Sequence, residues 1–320
     1  MQEGDMDETR GENTKREAVM ICEVGPRDGL QMAKSIMATP QKQAWITALA
    51  AAGLREIEVG SFVPARLIPQ MADTDAVVRE VVRLPGLTVV ALAPNLRGAQ
   101  AAYAAGAHQV TVPVSVSEGH SRANLNRAPA EQVAEIARIA TWLKSQPRQV
   151  RLEAACSTAF GCSIDGVVSE RQVIDVAIGL AEAGADEVAL CDTVGYAHPA
   201  QVRALVTVVR QEIGSVLQGL HLHDTMGLGL ANALAGLEVG IRNFDSALGG
   251  LGGCPFAPGA SGNIVTEDLV FMLESMGFET GIDLDRLIAA RDVLREGLPG
   301  EALHGGVSRA GIPKTFRKAA

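Results

Sequence analysis

Three short stretches of this 320-residue chain carry side chains whose types and spacing could do chemistry. The first is Glu23-Val24-Gly25-Pro26-Arg27-Asp28-Gly29-Leu30-Gln31, which places Arg27 and Asp28 side by side after the apolar run 18–22. An Asp at a strand end can ligate a metal, and an Arg beside it can hold a developing negative charge. Taken alone, the segment would be only a turn. The second is His221-Leu222-His223-Asp224-Thr225. Residues two apart on a strand face the same side, so both imidazoles point one way. Two inward histidines are costly to bury without partners, and either a metal or a hydrogen-bonded core pair would satisfy them. Asp224 and Thr225 read as support for that pair or as a helix N-cap. The third stretch is Gly249-Gly250-Leu251-Gly252-Gly253-Cys254-Pro255, with Gly259-Ala260-Ser261-Gly262-Asn263 behind it. A loop with this much glycine can fold over a substrate and exclude water, or it can simply be a tight turn around a small residue. It lacks the Gly-x-x-x-x-Gly-Lys-Ser/Thr pattern of nucleotide-hydrolysing phosphate loops.

These residues need elements that bring them together. Runs rich in Val, Ile and Leu predict strands at 19–24, 56–60, 88–93, 109–114, 151–155, 187–191, 219–223 and 243–247. Ala-rich segments between them predict helices at 41–52, 73–82, 96–105, 130–144, 170–183, 199–211 and 229–239. Gly53, Gly106, Gly184 and Gly240 follow helices where a left-handed cap would turn the chain into the next strand. Eight such units favour a parallel α/β fold, and a closed (β/α)8 TIM barrel over a doubly wound sheet. We expect one domain over 18–320, including extra C-terminal helices from about 266, behind a disordered, acidic tail at 1–17. In such a barrel, active sites lie at the C-terminal ends of the strands. Arg27 and Asp28 follow the first strand, Glu58 and Ser61 close the second, and Asn95 follows the third. Asp192 follows the sixth, His221 and His223 end the seventh, and Cys254 and Asn263 follow the eighth. All converge on one rim.

Over about 20–281 these motifs resemble the 3-hydroxy-3-methylglutaryl-CoA lyases, a family within a larger group of metal-dependent barrel lyases and Claisen-condensing enzymes. The Arg-Asp and His-x-His motifs are shared across the group, whereas the Gly-Gly-Cys-Pro loop with Ala-Ser-Gly-Asn is narrower and points to the lyases. The resemblance implies divalent-metal-dependent retro-Claisen cleavage of 3-hydroxy-3-methylglutaryl-CoA to acetoacetate and acetyl-CoA. It implies Asp28, His221, His223 and Asn263 as metal ligands, a set without thiolate that favours Mg2+ or Mn2+ over a closed zinc site. It further implies Arg27 as enolate stabiliser, Glu58 as its orienting carboxylate, and Cys254 in acid/base work within a lid. Asp28 and His221 count among the catalytic residues. Gln31, Ser61, Asn95 and Asp192 are implied near the substrate, and a homodimer is the family-level expectation. Arg122, Asn124 and Arg127 read as CoA-tail contacts or as a solvated loop. Met226, the 115–127 loop and Ser157-Thr158-Ala159-Phe160 depart from the family pattern. They leave open a related branched 3-hydroxyacyl-CoA, a synthase joining acetyl-CoA to a 2-oxo acid, or a barrel that binds an acyl-CoA without turnover.

Bulk composition narrows the partners. The net charge is −9 with no basic block, which argues against nucleic acid. Cysteines at 22, 156, 162, 191 and 254 show no Cys-x-x-Cys spacing, so a reducing compartment is expected rather than a disulfide framework. The first 17 residues carry acids and no apolar core, unlike secretory or transit signals, and no apolar run reaches membrane-spanning length. A cytoplasmic location and no membrane partner are the resulting expectations.

Overall fold

The computed structural model describes residues 16–253 and 262–316. Eight parallel strands close into a barrel in chain order: β1 (Met20–Glu23), β2 (Glu56–Ser61), β3 (Thr88–Leu92), β4 (Gln109–Ser115), β5 (Arg151–Ser157), β6 (Glu187–Asp192), β7 (Leu217–Leu222) and β8 (Asn243–Ser246). The seam is a regular parallel ladder pairing Met20 with Asn243 and Glu23 with Ser246. Outside it run α1 (Thr39–Ala51), α2 (Thr74–Val81), α3 (Leu96–Ala105), α4 (Glu118–Leu125), α5 (Pro129–Lys144), α6 (Glu170–Glu182), α7 (Pro199–Ile213) and α8 (Gly229–Glu238). α9 (Thr266–Ser275), α10 (Leu284–Gly297) and α11 (Gly306–Ala310) extend the C-terminus, and α10 packs on α1.

Strand alternation sorts the side chains. Outward residues such as Ile57, Val89, Leu152 and Phe244 meet the helices, including fully buried Trp45 and Ile46, to form one continuous apolar core. Several inward positions are polar instead: Glu58, Glu153, His221 and Asp245 line an internal cavity beside the apolar Val90, Leu92 and Ala155. Barrel interiors are ordinarily filled with branched aliphatic side chains, so this polarity marks the interior as a site. Gly53, Gly106, Gly184 and Gly240 all have the positive φ expected of helix-terminating glycines.

Three details differ from expectation. β7 ends at Leu222, and His223 sits just past it in an isolated antiparallel bridge to Asn263. The 115–127 loop contains α4. Arg16 and Glu17, expected in the tail, are held by the body: Arg16 pairs with Glu274, and the Glu17 carbonyl accepts from Glu279 N–H. Residues 1–15 lie outside the described residues, as does Cys254. Among the described residues, no helix is long and apolar enough to cross a membrane.

Candidate active site

The Gly25–Gly29 segment leaves β1 as a single π-helical turn. Such turns are rare and concentrate at functional sites, because the widened backbone re-aims its side chains. Here it turns Arg27 and Asp28 into the cavity. Glu23, fully buried at the end of β1, anchors the turn. Its Oε1 accepts from the N–H of Gly25 (3.0 Å) and Leu248 (2.8 Å), and its Oε2 accepts from Thr266 Oγ1 (2.7 Å). One carboxylate thereby ties the β1 turn to the β8 loop and the start of α9.

Arg27 donates through Nε to Glu58 Oε2 (2.5 Å) and through Nη1 to Asp28 Oδ1 (2.6 Å). Its Nη2 has no hydrogen-bond partner among the described residues. Burial disfavours the guanidinium charge, but Glu58 and Asp28 outweigh burial and raise its pKa. Burial also acts to raise the Asp28 carboxyl, yet Arg27 and the two histidines hold it far below the usual carboxylate range. Asp28 is therefore an anion at any pH where the protein works.

His221 and His223 converge with Asp28. Their Nε2 atoms lie 3.1 Å apart, and His223 Nε2 is 3.8 Å from Asp28 Oδ2. These three are the group of His, Cys, Asp or Glu side chains, among the described residues, whose donor atoms cluster closely enough to hold one ion. Ligands ~2.1 Å from one ion and at a right angle are ~3 Å apart, the spacing of the two imidazoles. Asn263 completes the set: its Nδ2 donates to Asp28 Oδ2 (2.7 Å) and to the Leu251 carbonyl (3.2 Å), while its Oδ1 is buried without a partner. Without an ion, one imidazole would have to donate to the other, and Asn263 Oδ1 would still be orphaned. The donor set, two imidazoles, a carboxylate and an amide oxygen, fits a divalent cation with open positions.

Asp245 on β8 was absent from the sequence expectations, yet its Oδ2 lies 3.0 Å from His221 Nδ1. That bond leaves Nε2 as the ligating nitrogen. Burial lowers the affinity of His221 for its proton, but Asp245 outweighs burial and raises it. The alternation of Asn243 and Asp245 with Phe244 was the available signal, since it puts two polar side chains inside the barrel. Glu153, also missed, lines the cavity on β5.

The cavity, about 920 Å3, joins most of the expected site. Arg27, Asp28, Gln31, Glu58, Asn95, His221 and His223 line it. Asn95 Oδ1 also caps α3 by accepting from Gly98 N–H (3.0 Å). Ser61 and Asp192, expected near substrate, do not line the cavity. Ser61 is buried at the end of β2, where a register irregularity pairs it with the cavity-lining Leu92; its N–H donates to Thr74 Oγ1 (3.2 Å) and its Oγ has no hydrogen-bond partner among the described residues. Asp192 accepts from the N–H groups of Tyr196 (2.9 Å) and Ala197 (3.1 Å), shaping the β6 loop while its neighbours Cys191 and Thr193 face the cavity. The Asp192 side chain points away because it follows the inward Cys191 by one position. Asp224 is not the N-cap of α8, a position held by Leu228, but its Oδ1 accepts from Gly229 N–H (2.7 Å) in the first turn of that helix.

Comparison with known proteins places this geometry. The HMGL-like family model matches residues 18–294. An (R)-citramalyl-CoA lyase of Chloroflexus aurantiacus is 44% identical over 305 residues, covering 92% of this chain and 95% of that protein. The mitochondrial hydroxymethylglutaryl-CoA lyase of Mus musculus is 41% identical over 290 residues, covering 91% of this chain and 89% of that protein. The structure of an HMG-CoA lyase from Acinetobacter baumannii in complex with coenzyme A and 3-methylmalate superposes with a TM-score of 0.87 at 40% identity, covering 95% of this chain and 98% of that one.

Proposed function

The chain belongs to the HMGL-like family and is a carbon–carbon lyase, and from that premise we propose that it cleaves 3-hydroxy-3-methylglutaryl-CoA to acetoacetate and acetyl-CoA with a divalent metal. The observation that carries the reading is one cavity holding the Asp28–His221–His223 cluster beside Arg27, whose Nη2 is unengaged among the described residues.

Cleavage must remove the C3 hydroxyl proton, break C2–C3 with the electron pair passing to C2, and protonate the resulting acetyl-CoA enolate. Asp28, His221, His223 and Asn263 would hold Mg2+ or Mn2+, which when bound supplies the Lewis acidity that eases loss of the hydroxyl proton. Arg27 meets the developing negative charge on the thioester oxygen through Nη2. Glu58 fixes the plane of the guanidinium through its bond to Nε. Gln31 and Asn95 line the substrate space, Ser61 closes β2 beside the cavity-lining Leu92, and Asp192 shapes the β6 loop. Cys254, outside the described residues, is assigned the acid/base role of the glycine-rich loop.

The identity to an (R)-citramalyl-CoA lyase favours a second reading, in which the same bond cleavage releases pyruvate and acetyl-CoA from citramalyl-CoA. Purified protein loaded with Mg2+ or Mn2+ and given each ester in turn separates the two through acetoacetate or pyruvate release. Product from neither ester would remove both substrates. A cytoplasmic homodimer accompanies this reading by family resemblance, and sedimentation of the purified protein with fractionation of the source cells tests it.

A further inference from the structure

Below the metal-ligand cluster the cavity continues into the barrel, where its lining includes a carboxyl group that the chemistry above leaves unused. Glu153, Ala155 and Ser157 are the partly accessible inward positions of β5, while Leu152, Ala154 and Cys156 between them are buried. Glu153 and Thr111 line the cavity together with Asp245, Cys22 and Cys191. Glu153 Oε2 accepts from Gln109 Nε2 and from Thr111 Oγ1, each at 2.9 Å. Its Oε1 has no hydrogen-bond partner among the described residues.

Burial first, and then the neighbouring carboxylates Asp245, Glu187 and Glu56, push the Glu153 carboxyl well above its ordinary range. Both effects favour the protonated carboxylic acid. Two donors already occupy Oε2, so the acid proton belongs on Oε1. The wall of the cavity thus presents a fixed O–H donor that needs an acceptor.

We propose that Glu153, braced by Gln109 and Thr111, is a specificity-determining residue whose Oε1 receives an oxygen acceptor at the far end of the acyl group. The subsite selects short acyl-CoA esters ending in a carboxylate over esters of the same length ending in an alkyl group. An O–H donor to a carboxylate makes a charge-assisted bond, roughly twice as strong as a neutral one. An alkyl end would leave the donor desolvated and unpaired, the situation by which polar sites reject isosteres. This inference rests on the reading of the cavity as an acyl-CoA site.

The test uses glutaryl-CoA and pentanoyl-CoA, which match in length, differ in the terminal carboxylate and lack the C3 hydroxyl needed for cleavage. Calorimetric titration of the Mn2+-loaded full chain should show glutaryl-CoA bound at least about tenfold more tightly. Glu153→Leu should bring that ratio below about threefold by weakening glutaryl-CoA alone, and Glu153→Gln, which keeps an N–H donor, should retain most of it. A wild-type ratio near one overturns the proposal on its own, whatever the variants do. So does a Glu153→Leu protein with unchanged Mn2+ affinity and an unchanged ratio. Cleavage of hydroxyacyl-CoA esters without this discrimination sinks the subsite alone. Discrimination without cleavage of any ester sinks the proposed reaction and leaves the subsite standing.

Discussion

Arg27 holds two carboxylates with two of its nitrogens and keeps a third nitrogen unengaged among the described residues. Arg27→Met should therefore lower kcat by about 10²–10³-fold, the usual loss on removing one donor to a developing oxyanion. Mn2+ binding followed by calorimetry should persist, because the histidines and Asn263 remain. Loss of metal binding together with activity would recast Arg27 as a support for Asp28. Asp245 works through another residue. Asp245→Asn should weaken Mn2+ binding by about 10–100-fold, since His221 loses the carboxylate that fixes its ring and raises its basicity. Unchanged affinity would show that the 3.0 Å bond to His221 is incidental. Arg27, Asp28 and the histidine pair were legible in the sequence because each lies in a short motif with its partner. Asp245 was not, because its partner is 24 positions away and meets it only across the β7–β8 ladder.

At the scale of elements, the site depends on how the β1 turn and the β8 loop are pinned together. Glu23 does this from a fully buried position, and burial pushes its carboxyl up to about 8 against the hydrogen bonds that favour the anion. A raised folded-state value means that the folded protein binds the proton more tightly than the unfolded chain does. This contribution is fully present below about pH 4.5 and is lost as pH climbs toward 8. Urea midpoints of metal-free protein should fall across that window, and Glu23→Gln should flatten the fall. An identical slope in the variant would mean that other groups carry it. Gly252 is a second pin, with φ 134° and its absent Cβ only 2.7 Å from Asn263 Nδ2. Gly252→Ala should displace the amide and weaken Mn2+ binding more than it lowers the thermal midpoint. A metal affinity equal to wild type would show that the loop gives way instead. Element positions were largely legible, since strand periodicity and terminal glycines are local properties. The π-helical turn was not, because 25–29 reads equally well as an ordinary turn until Glu23, Leu248 and Thr266 hold it.

For the whole molecule, the metal cluster joins β1, the end of β7 and the segment after β8, so ion binding should couple to global stability. At an ion concentration of 100 times Kd the gain is about 2.7 kcal/mol, or roughly 5 °C in thermal midpoint for a chain of this size. Chelation should reverse it, and His223→Ala should abolish the ion-dependent part while leaving the chelated midpoint within a few degrees of wild type. A midpoint indifferent to Mg2+ and Mn2+ would argue against an ion at this cluster. The sequence alone determined the number and order of the strands, the helices between them other than α4, the rim on which Arg27, Asp28 and the histidines meet, and the family. Those follow from apolar periodicity, glycine caps and motifs whose members are close in the chain. Only the tertiary structure decided that Asp192 turns behind the wall, that His223 bridges to Asn263, and that Asp245 and Glu153 enter the cavity. The physical reason is that the facing of a strand residue depends on register, and register is set by pairing with distant strands when the barrel closes.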